Sequence, residues 1–274
     1  MQKHCTDMKY SVFICVCKYD DPSFFLRAYE SIVNQTVPPD EIVICADRVE
    51  KPMLEYVKPL ERSCRVIYTD SNDDHAHVRQ RALDACTNEL VAVMDADDVA
   101  FPDRFEKTLE YFKNDKADVV GGHVREFSKE NTDLLGCRSV PLTDSDIKAY
   151  MKKRCPFNHM TVMYKKSVVE KCGGYQTMYC NEDYYLWIRM AQIGARFANI
   201  DSVLCYAGVS TGSYERRGGK RFFESEKAIQ KYMYSNGMIS RGRYTLNIFV
   251  RYVVQRLMPS AIRKRFYNTF LRKR

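Results

Sequence analysis

The segment LVAVMDADD, residues 90–98, decides the fold class of this chain of 274 residues. Its first five residues are apolar, which predicts a short β-strand buried on both faces. Three carboxylates follow within four residues, at Asp95, Asp97 and Asp98. In parallel α/β sheets, ligands bind beyond the carboxyl ends of the strands. The segment therefore predicts both a buried central strand and a binding site at its end.

The residues before this segment repeat the same pattern of a buried strand followed by a helix. We predict strands at 11–17, 41–46, 65–68 and 90–94, and helices at 24–34, 53–60, 78–86 and 102–114. The β-α-β-α-β-α-β order requires a parallel sheet with right-handed crossovers. The second half is less regular, with strands predicted at 117–127 and 161–164, helices at 145–153 and 181–193, and a loop at 212–219.

Composition excludes several protein classes. The 45% hydrophobic content excludes general disorder, and 12 Gly with 9 Pro exclude a collagen-like chain. No apolar run approaches the roughly 20 residues of a membrane span, and the first seven residues contain no apolar signal region, so we expect a cytosolic protein. The 11 Cys form no CxxC pair and are expected to be reduced.

The C-terminal tail differs in charge from the rest of the chain. Residues 241–274 contain ten Lys and Arg and no acid, whereas residues 1–240 carry a net charge of −2. An apolar stripe follows helical spacing through the same tail. Cations beside an apolar stripe predict an amphipathic helix lying at a membrane surface. The alternatives are a helix packed on the protein's own body and a nucleic-acid patch, for which no motif is present. We therefore expect a domain at 1–240 and a tail at 241–274.

The acid cluster at the end of residues 90–98 indicates a cation site. Like charges this close repel each other, and a divalent cation relieves the repulsion through oxygen ligands. One alternative is helix capping, which needs a single carboxylate. Another is a haloacid-dehalogenase-like phosphatase, whose DxDx[T/V] motif is matched by Asp95, Asp97 and Val99. That motif usually lies on an early strand, and here it follows the fourth.

Motifs along most of the chain resemble glycosyltransferase family 2, bacterial enzymes of GT-A fold that build surface polysaccharides. The similar segments are SVFI (11–14), LRAYESIVNQT (26–36), PDEIVI (39–44), Asn72, Arg79, MDADD (94–98), PDR (102–104), NHMTVM (158–163), GGY (173–175), ED (182–183) and LWIR (186–189). Two departures stand out. Arg48 follows Asp47 where the family usually has Gly or Asp, and Asp74 stands where the family usually has Gly. The resemblance implies a GT-A-like, Rossmann-like and mostly parallel sheet flanked by helices, followed here by the amphipathic helical segment.

The resemblance assigns the donor half of the site to residues of the first 100. It implies that Val16 and Cys17 lie near the base of a nucleotide and that Asp47 accepts a hydrogen bond from uracil N3–H. Arg79 would neutralise the nucleotide. Asp97 would contact the ribose and the metal, and Asp98 would bind the metal, which is Mn²⁺ or Mg²⁺. The alternatives are that Asp47 caps the next helix and that Arg79 is an ordinary surface residue.

The acceptor half is assigned in the same way. Asp183 would be the general base, which takes the proton of the attacking hydroxyl, and Glu182 is the alternative. Trp187 would stack on a sugar ring or pack in the core. His159 would lie near the acceptor or the diphosphate, or be a buried structural histidine. Arg216 and Arg217 would form a basic lid over the donor, or a solvated loop.

The function implied is that of an inverting glycosyltransferase. It would move a sugar from a nucleotide donor, a UDP-sugar by expectation, to a glycan or lipid-linked glycan. We expect the protein to bind the inner face of the cell membrane through its tail and to bind no nucleic acid. The alternatives are the phosphatase using Asp95 and Asp97, and a catalytically silent, membrane-bound partner of a glycan assembly complex.

Overall fold

A computed structural model describes residues 8–70, 74–113, 115–130, 132–210, 212 and 218–257. Its centre is a nine-stranded mixed sheet. The strands are β1 (Tyr10–Cys17), β2 (Glu41–Asp47), β3 (Arg65–Thr69), β4 (Leu90–Asp95), β5 (Val99–Ala100), β6 (Val119–Ser128), β7 (Leu134–Arg138), β8 (Met163–Lys165) and β9 (Phe197–Val209). The strand order is β3-β2-β1-β4-β8-β6-β9-β5, and β7 pairs with β6.

Nine α-helices in the described residues surround this sheet. They are α1 (Pro22–Val33), α2 (Met53–Val57), α3 (His75–Ala85), α4 (Arg104–Phe112), α5 (Asp144–Met151), α6 (Lys166–Lys171), α7 (Glu182–Gln192), α8 (Gly219–Ser235) and α9 (Arg241–Tyr252). Short 3₁₀ turns lie at Lys58–Arg62 and His159–Thr161, and a π-helical turn, Val253–Leu257, continues α9.

The first four long strands form the predicted parallel half of the sheet. β1 pairs in parallel with both β2 and β4, and β2 pairs in parallel with β3. Alternate residues of β1 face opposite cores: Phe13 belongs to one apolar cluster, and Ile14 to the other. Because both faces are covered, the strand is apolar from Val12 to Cys17, as expected of a buried parallel strand. The α/β fold is therefore confirmed.

The second half of the chain adds the mixed part of the sheet. β8 pairs antiparallel with β4 and β6, whereas β6 and β9 run parallel over most of their length. The sequence patterns did not predict β9 or α8. They predicted a loop up to residue 219, but α8 begins at Gly219.

Buried polar side chains tie α1 and α4 to the strands. Gln35, just after α1, donates to the Phe101 carbonyl at 2.7 Å and accepts from the Phe105 N–H at 3.2 Å. Arg104 is fully buried and donates to the Val93 carbonyl at 2.7 Å. Gln35 lies in the NQT motif and Arg104 in the PDR motif. The NQT motif thus holds the start of α4 beside α1, and the PDR motif ties α4 to β4.

The described part of the tail packs against the domain. On its inner face, the Asn247 side chain donates to the Gln230 side chain at 2.7 Å and to the Lys152 carbonyl at 2.9 Å. Arg251 forms an ion pair with Glu226 of α8. Leu246 and Phe249 point outward and are 53% and 64% exposed. The helix therefore makes polar and aromatic contacts with the domain on its inner face and exposes apolar side chains on its outer face.

Within the described ranges, no helix is both long and apolar enough to span a membrane.

Replacing Gln35 by Ala should lower the free energy of unfolding by about 2 kcal/mol, because it leaves the buried Phe105 N–H without its acceptor. Urea denaturation measures the change. The matched control is Asn34→Ala at the same helix end, where the amide is exposed and bonds only to the Glu30 carbonyl. The control should cost less than about 1 kcal/mol. Equal losses in both variants would contradict the role given to Gln35.

Candidate active site

The acid cluster lies where β4 ends at the edge of the parallel half. Asp95 is the last residue of β4, and Asp97 and Asp98 lie in the turn to β5. Asp98 is 2% exposed; its Oδ1 accepts from the Gly208 N–H at 2.8 Å, whereas its buried Oδ2 has no hydrogen-bond partner. Burial, together with the charges of Asp97 and Asp95, raises the pKa of Asp98 well above its ordinary value.

Arg79 of α3 joins this cluster to the acid pair at the start of α7, Glu182 and Asp183. Its guanidinium donates to Asp95 at 3.2 Å and forms a short ion pair with Glu182. Burial alone would raise the pKa of Asp95, but the nearby His159 ring and the Arg79 charge outweigh it and hold that pKa well below its ordinary value. The guanidinium thus bridges the two acid groups, and its contact with a nucleotide stays a prediction.

His159 lies beside the same bridge. The ring is 6% exposed, its Nε2 lies 3.0 Å from the Tyr175 hydroxyl, and its Nδ1 lies 3.7 Å from Asp95 Oδ1. That second distance is too long for a normal hydrogen bond, and Nδ1 is a buried atom without a partner. His159 is therefore buried, as the structural alternative predicts, and it lies next to the acid cluster.

The residues predicted to lie near the nucleobase of the donor are at the ends of β1 and β2. Asp47 is buried; its Oδ1 accepts from the Thr69 hydroxyl at 2.7 Å, and its Oδ2 accepts from Arg48 Nε at 2.9 Å. The helix-capping alternative is wrong, because Pro52 occupies the N-cap of α2. Val16 points into the core, so only its backbone reaches this edge, whereas Cys17 is half-buried.

The departure from the family at residue 48 coincides with an unusual backbone conformation. Arg48 has a φ of 49°, in the left-handed region that favours Gly. Its guanidinium, one third exposed, pairs with Asp47 at 2.8 Å. The second departure has a simpler explanation. Asp74 caps α3 by accepting from the N–H groups of Ala76 and His77 at 3.1 and 3.2 Å.

Glu182 and Asp183 open α7 and differ in their surroundings. Glu182 is buried and paired with Arg79. Asp183 is half-buried, and its Oδ2 lies 3.6 Å from the Cys155 thiol, a weak donor. The Glu182 charge is thus compensated by a guanidinium, and the Asp183 carboxylate is the more accessible of the two.

The other predicted acceptor residues have different outcomes. Trp187 is fully buried and packs against Phe157, His159 and Tyr164. The interpretation that it stacks on a sugar is therefore wrong, because no face of its ring is open, and the core alternative holds. Arg216 and Arg217, the predicted lid, lie outside the described residues.

Lys129 belongs to the site, although no sequence motif pointed to it. It follows β6 directly, and its ammonium forms a short ion pair with Asp97. Burial raises the pKa of Asp97, and the Lys129 charge opposes that effect. Lys129 and Asp97 are 32 residues apart in the chain, so their contact depends on the pairing of β6 with β9.

The residues of the cluster fit a divalent cation bound together with a diphosphate. Among the described residues, no group of three or more His, Cys, Asp or Glu side chains is arranged to hold a metal ion. Mg²⁺ in nucleotide sites is usually held by one or two carboxylates and the substrate phosphates. The unpartnered Oδ2 of Asp98 and the neighbouring Asp97 supply two such carboxylates.

Comparison with known proteins identifies the family. The model of glycosyl transferase family 2 matches residues 11–173, more than half of the chain. The chain belongs to glycosyltransferase family 2. The phosphatase alternative is therefore not retained. One relative, an uncharacterized glycosyltransferase of Haemophilus influenzae, is 36% identical over 97% of this chain and 100% of its own length.

Two further similarities add to this assignment. The UDP-Gal:alpha-D-GlcNAc-diphosphoundecaprenol beta-1,3-galactosyltransferase of Escherichia coli is 32% identical over 97% of each chain. The mannosyltransferase PcManGT from Pyrobaculum calidifontis, solved in complex with GDP-Man and Mn²⁺, superposes with a TM-score of 0.65 at 14% identity. That match covers 96% of this chain and 75% of the mannosyltransferase, and it confirms the GT-A fold of this family 2 enzyme.

Replacing Arg79 by Met should lower the free energy of unfolding by about 3 kcal/mol at neutral pH, because Glu182 and Asp95 lose their shared cation. In the wild type, the lowered pKa of Asp95 gives stability that is lost as the pH falls through the acid range. In the variant, the unpaired carboxylates bind protons more tightly when folded, so its deficit should shrink by about 1 kcal/mol or more between pH 7 and pH 5.

Urea denaturation at both pH values measures this change. Arg62→Met, at an exposed residue in the 3₁₀ turn Lys58–Arg62 and away from the site, is the control and should stay within about 0.5 kcal/mol of the wild type. A deficit for Arg79→Met that does not depend on pH would contradict the ion-pair explanation.

Proposed function

We propose that the protein is a metal-dependent, inverting glycosyltransferase that moves a sugar from a UDP-sugar to a lipid-linked glycan in surface polysaccharide synthesis. One observation carries the proposal. The Arg79 guanidinium touches both the last residue of β4 and the first residue of α7. The acid cluster for the donor and the acid pair for the acceptor therefore share a single site.

The inverting mechanism rests on Asp183 as the general base. Inversion in one displacement needs a carboxylate that removes the proton of the attacking hydroxyl on the side opposite the leaving diphosphate. Glu182 is held by Arg79, and this ion pair engages its charge. Asp183 is the neighbouring carboxylate with greater access to solvent. We therefore propose that Asp183 removes the proton of the attacking hydroxyl. Glu182 would position the N-terminus of α7.

The donor half is assigned from the strand ends. Asp97 and Asp98 would hold Mn²⁺ or Mg²⁺, and the bound ion would stabilise the negative charge that develops on the leaving diphosphate. Asp47 would accept from the uracil N3–H once its bond with Arg48 or Thr69 rearranges. The UDP-sugar assignment is supported by the Escherichia coli relative, whose name specifies UDP-Gal.

A lipid-linked acceptor and the apolar outer face of α9 both indicate a membrane surface. The same relative is named for a diphosphoundecaprenol-linked acceptor. A lipid-linked acceptor would require the enzyme to work at a membrane surface. The outer face of α9 presents Leu246, Phe249 and Val250, each about half exposed or more, and the sequence of the tail contains ten Lys and Arg and no acid. We propose that this face, with the tail at 241–274, binds the inner face of the cell membrane.

The function is tested by UDP release from a panel of UDP-sugars in the presence of an undecaprenyl-diphosphate-linked sugar. Asp183→Asn should lower transfer by about 10² or more, the scale of losing a general base, while calorimetry shows near-normal UDP affinity. Chelation of the metal should abolish transfer in the wild type.

Glu182→Gln is the matched control, since it makes the same chemical change one residue away. We expect it to reduce stability as well as activity, because it weakens the ion pair with Arg79. An active Asp183→Asn variant with an inactive but stable Glu182→Gln variant would reverse the two roles. UDP release by the Asp183→Asn variant at the wild-type rate would refute the assigned mechanism.

The membrane proposal is tested on the outer face of α9. The variant Leu246→Gln/Phe249→Gln keeps every charge but removes two apolar side chains, each contributing about 1.5–3 kcal/mol when fully buried. Flotation with vesicles of anionic phospholipid should show at least tenfold weaker binding. The control is Leu134→Gln/Leu135→Gln on β7, where the Leu side chains are 60% and 37% exposed. Unchanged flotation of the α9 variant would place the membrane contact elsewhere.

A further inference from the structure

Lys129 lies in the acid cluster at a position set by the sheet. Its backbone N–H donates to the Val209 carbonyl at 3.0 Å, which places the residue beside the end of β9. Its ammonium contacts the Asp97 carboxylate and lies 5.6 Å from the centre of the Phe24 ring. The side chain is 23% exposed, so it is mostly enclosed while its charge still reaches the site.

Gly208 makes room for this lysine. A Cβ atom at residue 208 would lie 2.6 Å from Lys129 Cε and 2.8 Å from the Asp97 carbonyl oxygen, closer than real contacts allow. The N–H of the same glycine donates to Asp98 Oδ1. One backbone position therefore both clears the path of the Lys129 side chain and holds Asp98, which makes the lysine a built part of the acid cluster.

The three carboxylates of the acid cluster differ in whether they have a cationic partner. Asp95 has Arg79 as its partner and Asp97 has Lys129, whereas Asp98 Oδ2 is buried and makes no hydrogen bond. The two cations also differ in kind. Arg79 is a rigid, planar donor clamped between two carboxylates, but Lys129 is a point charge on a flexible stem with one carboxylate partner. Lys129 is thus the cation that can change partners.

We propose that Lys129 is the resident cation of the donor site, which a divalent metal displaces from Asp97 and which then binds the diphosphate of the donor. The inference rests on the proposed function for the identity of the donor. A metal ion and an ammonium on the same carboxylate repel each other, so metal binding drives Lys129 off Asp97. The diphosphate supplies the anion that receives it. No bond is made or broken in this exchange.

The exchange has a thermodynamic consequence. Without a donor, the metal must compete with Lys129 for Asp97, so the free enzyme binds the metal weakly. With a donor, the displaced ammonium gains a new partner, so metal and nucleotide strengthen each other's binding by the same factor. Lys129 is therefore the residue that couples the two ligands.

The test uses Lys129→Met in the full-length protein, because Met keeps most of the apolar stem and removes the charge. Mn²⁺ affinity without nucleotide is measured by the electron paramagnetic resonance of free Mn²⁺, and we expect it to be about tenfold tighter in the variant. UDP affinity at saturating Mn²⁺ is measured by calorimetry, and we expect it to be about tenfold weaker in the variant. Lys107→Met is the control. Lys107 also pairs with an aspartate, Asp103, and the substitution changes the net charge by the same amount.

Either of two results would overturn the proposal: Mn²⁺ affinity of the variant equal to or weaker than that of the wild type, or unchanged UDP affinity at saturating Mn²⁺. Thermal unfolding checks that both variants are folded. Gly208→Ala is a second variant. Its Cβ would crowd Lys129 and Asp97, so we expect it to change both the Mn²⁺ affinity and the UDP affinity. If UDP does not bind the wild type even with Mn²⁺, the proposed function fails, while the Mn²⁺ measurement still tests the competition.

Discussion

The guanidinium of Arg79 is the interaction on which the rest of the site depends. It is buried between the last residue of β4 and the first residue of α7, so it ties the central sheet to the helix that carries the acid pair. A buried ion pair of this kind adds little net stability, because both partners lose their hydration. Its contribution is to fix the distance between two groups that we propose bind different substrates.

The parallel half of the fold was predictable from sequence, because strands covered on both faces are continuously apolar and short. Val12–Cys17 of β1 and Leu90–Met94 of β4 follow that pattern. β9 was missed because many of its side chains are only half-buried, which leaves no regular alternation to recognise. α8 was missed because it opens at Gly219, with a φ of 82°, after a segment that reads as a loop.

The site was predictable in its residue types but not in its pairings. Acids after a buried strand indicate a ligand site whatever the rest of the chain does, so Asp97 and Asp98 could be named from sequence. The partner of Glu182 is 103 residues away along the chain, and only the folded sheet brings it close. Trp187 shows the opposite limit. Its helical position suggested a sugar contact, but the packing of α7 turns the ring into the core.

The left-handed backbone at Arg48 has a consequence for how this enzyme would change under selection. A non-glycine residue in this conformation costs about 1–2 kcal/mol, and glycine would remove that cost. A library screened only for heat resistance would therefore be enriched in glycine at this position. Such clones would lose the guanidinium that pairs with Asp47 and would drift toward the family's usual sequence. The gain would come from the backbone at residue 48, so glycine there would mark a variant that has been selected for heat resistance.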